Sequence, residues 1–196
     1  LAAGDQAGGT AELQKAAEHH SAYYGLLAAE ALGQSLDPAL LNDARPADWR
    51  GASFANSSVL EAAMVLSRAG QRSMAKRFFL HLGESLNGTE LDQLADLALQ
   101  MDEPHIALVV AKQAAEKGVI LPRSYYPVPS FVPGDGLPVS QALALAISRR
   151  ESEFDPAARS AADARGLMQV LPSTAKLVAP RVGLSFDEGK LNDPAY

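Results

Sequence analysis

The chain has 196 residues and a mass of 20.6 kDa, enough to bury a substantial core and to hold one or two domains. It contains no cysteine, which excludes a disulfide framework and thiolate metal sites and leaves the compartment open. Its formal charge of −6, with no concentrated basic stripe, argues against a nucleic-acid partner, and no apolar run reaches transmembrane length.

The opening, LAAGDQAGGTAEL, lacks the basic segment and apolar core of a signal peptide. A processed secreted protein or an excised fragment would look the same. Charge is unevenly placed: residues 1–120 hold 15 acids against 9 bases, whereas residues 121–196 hold 8 of each. The contrast suggests two units in different surroundings.

In chain order, AELQKAAEHH (11–20) is alanine-rich and predicts a helix. A second is expected over SAYYGLLAAEALG (21–33), capped by Ser21 and stopped by Gly33, with Tyr24, Leu27 and Ala31 at helical spacing. A short helix is expected around Asp37–Asn42, where Pro38 suits the first turn, and ARPADWR forms a turn carrying Trp49. Further helices are expected over Ser57–Ala69, Gln71–Leu82, Thr89–Gln100 and Glu103–Lys117. Thr89 is the expected cap of the third, and Asp102 or Glu103 with Pro104 opens the fourth. Gly70, Gly83, Gly88 and Gly118 punctuate this run at helix-length intervals. The pattern fits the stacked hairpins of an alpha-solenoid over residues 1–120, and it fits a compact helical bundle equally well.

Residues 121–138, LPRSYYPVPSFVPGDGLP, contain five prolines and two glycines and therefore no continuous helix. Tyr125, Tyr126 and Phe131 make the segment an ordered crossing between packed units, with room for a short strand. A helix is then expected over Val139–Ser152, ended near Pro156. LMQVLPSTAKLVA predicts one broken helix or two short ones meeting near Pro172, with Ser173 and Thr174 as local caps. The tail, RVGLSFDEGKLNDPAY, reads as irregular. The expected fold class is all-α.

The expected chemistry centres on Glu151. Val139, Leu143 and Ile147 recur every four residues, and Glu151 continues the series, so a carboxyl group stands where an apolar side chain is expected. Partial burial, together with the helix C-terminus, would favour the protonated form and suit a general acid. The structural alternative is an ion pair with Arg150, Arg159 or Arg165 that fixes the helix end.

The run AISRRESEFDPAARSAADARGLMQVLPSTAKLVA (146–179) resembles the catalytic-domain signature of the soluble lytic transglycosylases, which have a goose-type-lysozyme-like fold. Glu151-Ser152 matches the catalytic glutamate and its neighbour, Ser160 a pocket serine, and Gly166-Leu167-Met168-Gln169 the second family motif. AYYGLLAAEALG also looks like part of the helical superstructure that precedes the catalytic domain in large periplasmic members. The resemblance implies a helical domain over 1–120, a Pro-rich crossing over 121–138, and the N-terminal portion of a lysozyme-like helical catalytic domain over 139–196. It further implies periplasmic localisation, peptidoglycan glycan strands as substrate, other cell-wall enzymes as candidate partners, and no cofactor.

In the implied mechanism Glu151 protonates the glycosidic oxygen between N-acetylmuramic acid and N-acetylglucosamine. The substrate's 2-acetamido group stabilises the developing positive centre. Glu151 then activates the muramyl 6-hydroxyl, giving a 1,6-anhydromuramic product from a single essential carboxylate, where ordinary glycosidases use two. Glu153 and Asp155 are not required, and Glu153 is expected in solvent. Gln169, Ser160 and Met168 become substrate-binding residues, Ser152 supports Glu151, and Gly166 allows close backbone approach. The residues' own alternatives are loop-carbonyl partner for Gln169, cap for Ser160 and core for Met168.

The chain departs from the family pattern in two places. Asp163 stands where the family has glycine. The sequence also stops at LNDPAY, before the further helix, Asn-Ala-Gly-like motif and pocket tyrosine of the family, which gives the expectation of a truncated enzyme. The competing reading is a noncatalytic cell-wall-binding or protein-interaction module, and a conventional muramidase is a further one. His19, His20, His81 and His105 match no metal-ligand spacing, and GDG at 134–136 reads as a turn. Arg149 and Arg150 are candidates to receive an anionic polymer or to lie solvated at the helix end.

Overall fold

Asp5 starts the first helix, α1 (Gln6–Ala17), by accepting a hydrogen bond from the Gly8 N–H at 2.9 Å. The computed structural model describes residues 4–196, so the first three residues of the segment read for a leader lie outside it. This cap moves the helix earlier than the expected 11–20, and the helix ends before the two histidines. Helix α2 (Tyr23–Ala31) follows with Ala22, not Ser21, at its cap position and no side-chain cap bond.

Single 3₁₀ turns at Pro38–Leu41 and Trp49–Gly51 are each capped by the preceding aspartate, Asp37 and Asp48. Then come α3 (Ser58–Arg68), α4 (Arg72–Gly83), α5 (Gly88–Gln100) and α6 (Pro104–Glu116). Ser57 caps α3. The expected Thr89 cap of α5 is replaced by Asn87, which forms a reciprocal capping box with Glu90. Pro104 occupies the first turn of α6, where its missing N–H costs nothing.

Four helices, α2, α3, α5 and α6, stop by one device. Gly33, Gly70 and Gly118 have φ of 66°, 72° and 79°, and in each case two backbone bonds close a Schellman motif. After α2, for example, Gly33 N–H donates to Glu30 O and Gln34 N–H to Ala29 O, both at 2.9 Å. Asp102 does the same at the end of α5 with φ 57°, which is costlier for a residue with a Cβ. Gly70 and Asp102 lie inside the pairs α3–α4 and α5–α6, while Gly33 and Gly118 follow α2 and α6; the helices pack as successive pairs α1–α2, α3–α4 and α5–α6.

The main core lies among α3–α6, with Phe79, Leu60, Leu91, Leu94, Ile106 and Val110 excluded from water. The α1–α2 pair has its own small core around Ala17, Ala28 and Ala29. Lys117, just past α6, donates to the carbonyls of Gly83, Glu84 and Leu86 and so closes the C-terminus of α4.

In the Pro-rich segment the chain forms one helical turn, α7 (Pro122–Tyr125), and no strand. Arg123 of α7 is paired at 3.1 Å with the buried Asp96 of α5, which fastens the crossing to the array. Helix α8 (Gln141–Glu151) is capped by Ser140, and α9 (Pro172–Val178) starts at Pro172, with 3₁₀ turns at Ala179–Val182 and Glu188–Asn192. The helical start expected at Leu167 is absent: 166–169 form a turn, and neither Ser173 nor Thr174 caps α9. The fold is all-α, with helical packing consistent with a lysozyme-like catalytic domain and no β-sheet among the described residues. No helix is long and apolar enough to cross a membrane.

Placing the core in α3–α6 makes a stability prediction. Phe79→Ala should lower the unfolding free energy by about 3–5 kcal/mol. Leu143→Ser, on the half-exposed face of α8, should stay within about 0.5 kcal/mol, both read from denaturant midpoints.

Candidate active site

Glu151 is the last residue of α8 and is exposed. The apolar series leading to it is not a core stripe: Val139, Leu143 and Ile147 are 45%, 49% and 39% exposed. The inward meridian of α8 runs instead through Ala144, Ser148 and Ser152. At about 100° per residue, Leu143, Ile147 and Glu151 lie one step around the helix from it. The desolvated setting expected for Glu151 is therefore absent. The periodicity was right for a helix, but it could not say which of two adjacent meridians faces protein.

Two contacts set that rotation. The Arg149 guanidinium lies over the rings of Tyr125 and Tyr126, 4.5 and 5.0 Å from their centroids, and its Nε donates to Tyr125 O at 3.0 Å. One turn further, the buried Ser152 hydroxyl is 2.8 Å from Leu167 O and 3.0 Å from Ser148 O, its single proton shared between them. Arg149 is thus engaged in packing. Arg150 is exposed.

Beyond Ser152 the chain turns through two successive left-handed residues, Glu153 (φ 53°) and Phe154 (φ 63°). For residues with a Cβ this costs on the order of 1–3 kcal/mol each and persists only where the surroundings hold it. Burial of Phe154, only 1% exposed, is one such hold. Another is the ion pair of Glu153 with Lys112, so Glu153 is not simply solvated as expected. Asp155 accepts from Ala157 N–H at 2.9 Å and shapes the next turn. Neither neighbouring carboxylate is left free to serve beside Glu151.

The loop after it is pinned by isolated bridges joining Arg165 to Arg159 and to Val170. Asp163, in the glycine position of the family pattern, takes φ 67° and is held by Arg159 at 2.5 Å and Arg165 at 2.9 Å. Arg165 reaches on to Glu188 at 2.6 Å. These arginines, offered by sequence as partners of Glu151, are thus committed to Asp163. Ser160 is exposed and closes the loop, its hydroxyl accepting from Ala164 N–H at 3.0 Å. Gly166 is buried with φ 72°, and a Cβ there would lie 2.0 Å from Leu191 O. Gln169 donates to Ala158 O and Gly166 O, both at 3.1 Å. Met168, 41% exposed, accepts a weak hydrogen bond from Ser148 at 3.5 Å.

Met168 and Ser148 line an open, largely apolar groove of about 530 Å³ between the Pro-rich segment, α8 and α9. Glu151, Ser152, Gly166 and Gln169 are not among its lining residues; Ser152 is tied to Leu167 O and Gln169 to Gly166 O in the turn that carries Met168, and Glu151 adjoins Ser152 in the chain. Among the described residues no group of three His, Cys, Asp or Glu side chains could hold a metal ion. Sequence reasoning named Tyr125 only as a packing anchor of the crossing and missed Lys112, which pairs with Glu153. Their only sequence signal is charge and ring chemistry far along the chain, which pairing alone makes meaningful.

The Asp163 cluster gives a pH prediction. Hydrogen bonds from Arg165 and Arg159 hold its carboxyl below the ordinary 3.8, at about 2. A depressed folded-state value stabilises above the unfolded value and is lost as pH falls through the folded one. Loop order at 158–170 should therefore persist above pH 4 and decline toward pH 2, the expected midpoint of the Asp163 carboxyl in an NMR titration. A midpoint near the ordinary value would show that the arginine clamp does not form.

Comparison with known proteins adds independent observations. Residues 134–196 match the family model described as Transglycosylase SLT domain. A Haemophilus influenzae protein assigned as a soluble lytic murein transglycosylase is 34% identical over 124 residues, 62% of this chain and 21% of that protein. In fold, the chain is similar over its full length to 32% of the 70 kDa soluble lytic transglycosylase of Escherichia coli, with a TM-score of 0.75 and 22% identity. It is also similar over 95% of its length to 30% of an inactive glutamate-to-glutamine mutant of the lytic transglycosylase Slt from Pseudomonas aeruginosa, with a TM-score of 0.67 and 26% identity. The chain thus spans about a fifth of the curated relative and about a third of the solved ones. The match to the SLT domain model covers residues 134–196, and the solved transglycosylases share the chain's fold over nearly its whole length.

Proposed function

We propose that this chain is part of a peptidoglycan lytic transglycosylase in which Glu151 is the general acid and base. One observation carries the reading: in the segment matching the SLT domain, Glu151 stands exposed at the end of α8 while Glu153 and Asp155 are engaged elsewhere. A single available carboxylate suits a reaction that borrows its second nucleophile from the substrate, unlike ordinary glycosidases with their paired carboxylates.

The carboxylic acid of Glu151 protonates the oxygen between N-acetylmuramic acid and N-acetylglucosamine as the C1–O bond breaks. The muramyl 2-acetamido oxygen stabilises C1. The resulting carboxylate then takes the proton of the muramyl 6-hydroxyl, whose oxygen closes onto C1 and yields the 1,6-anhydro ring. Because Glu151 is exposed, the bound sugar rather than the protein would exclude water from it. Met168 and Gln169 contribute to the sugar site and Ser160 borders it, with Ser152 and Gly166 supporting the backbone between. In this reading residues 139–196 belong to the catalytic domain, 121–138 cross to it, 1–120 form the helical superstructure, and the protein works in the periplasm.

A second reading is favoured by one observation, that the large apolar groove excludes Glu151: a noncatalytic wall-binding or protein-interaction module. Incubation with purified peptidoglycan separates the two. Mass analysis should find 1,6-anhydromuramic products that fall about 10²–10⁴-fold with Glu151→Gln. Hydrolysed ends without anhydro products would identify a muramidase, and absence of any product would favour the binding module.

A further inference from the structure

The proposed chemistry makes no use of His105, the second residue of α6. Its Nδ1 lies 2.9 Å from the backbone oxygen of Glu153, and its Nε2 lies 3.1 Å from Lys76 Nζ on α4. A carbonyl oxygen only accepts and an ammonium only donates, so the two contacts define one arrangement. The imidazole is neutral, Nδ1–H donates to Glu153 O, and Nε2 accepts from Lys76.

The ring is presented from a rigid corner. Glu103, which begins α6 and is 7% exposed, accepts from Ser67 of α3 at 3.0 Å and from Arg72 of α4 at 3.2 Å. Ile106 and Ala107, next to His105, are excluded from water. Seven residues along the same face of α6, Lys112 reaches the Glu153 side chain. One helix therefore holds Glu153 by both its carbonyl and its carboxylate. The cleft at this corner, lined by Lys76, His105 and Phe154, measures about 80 Å³. Ligand pockets span roughly 300–1,000 Å³, so the corner is a joint and not a binding site.

We infer that His105, assisted by Lys112, is a positioning residue: it grips Glu153 in its left-handed conformation and thereby sets where α8 delivers Glu151. The inference rests on the proposed role of Glu151. The left-handed pair Glu153–Phe154 follows that carboxylate by two residues, and Ser152 between them is tied to the Met168 loop through Leu167 O. Releasing the carbonyl of Glu153 lets the pair relax toward ordinary dihedrals. That turns the end of α8 relative to the loop, and small misplacement of a reacting group is costly.

The test compares the full chain with His105→Ala and His105→Asn, whose side-chain amide can donate from the position of Nδ1. With soluble glycan strands as substrate, His105→Ala should lower kcat about tenfold or more at a KM within about twofold, and His105→Asn should recover most of the loss. Amide hydrogen exchange at residues 151–155 should rise in the Ala variant and return in the Asn variant, at an unchanged Tm. Equal kcat in all three, or exchange at 151–155 that ignores His105, would overturn the assignment. If the unaltered chain releases no product, the lytic reading fails while the exchange comparison still decides the clamp. Should His105→Ala not fold, Lys112→Met carries the same measurements, with a smaller shift in the same direction sustaining the inference and none rejecting it.

Discussion

Phe154 has to reach the corner between the starts of α4 and α6, and the chain reaches it through two consecutive left-handed residues at the end of α8. That insertion fastens the C-terminal segment to the helical array. Burying one aromatic side chain is worth about 1.5–3 kcal/mol, comparable with the backbone strain it imposes. The balance therefore needs the polar contacts around it. Glu153 O on His105, Glu153 on Lys112, and Arg149 over the two tyrosines of the crossing segment all serve the same joint.

The array and the C-terminal segment are built differently. In α3–α6 the central helix α5 is buried over most of its length, and side chains from four helices exclude water around it. After residue 138, burial is sparse: Ala144, Ser148, Ser152, Phe154, Gly166 and Ala179 are the buried residues there. Shape in that part comes from hydrogen bonds and charge pairs, such as Asp163 with its arginines and Ser152 with Leu167 O. Such contacts position groups well while adding modestly to stability, since exposed ion pairs contribute roughly 0–1 kcal/mol.

In the loop from Ser160 to Gln169, a residue with a Cβ keeps a left-handed conformation through charge pairing. Asp163 occupies the left-handed region that a glycine would enter freely, and two guanidinium groups meet its carboxylate there. Both arginines are thereby committed to Asp163, and neither pairs with Glu151, which precedes them by 8 and 14 residues in the chain. The exposure of Glu151 follows from the rotation of α8, and the pairing of both arginines with Asp163 leaves neither as its partner.

The sequence by itself determined most of the helices and several of their stops. Gly33, Gly70 and Gly118 end helices because only a residue without a Cβ enters the left-handed region cheaply, a local property readable from the chain. Pro104 and Pro172 open helices for an equally local reason. Caps were less legible: Asn87 displaced the expected Thr89 because the box with Glu90 depends on where the turn begins. Tertiary structure alone decided which meridian of α8 faces protein. Val139, Leu143 and Ile147 have the better apolar pattern, yet Ala144 and Ser148 are buried, because Arg149 on the tyrosines and Ser152 on Leu167 O fix the helix's rotation. Those partners lie 15 to 24 residues away along the chain, beyond the reach of any helical period.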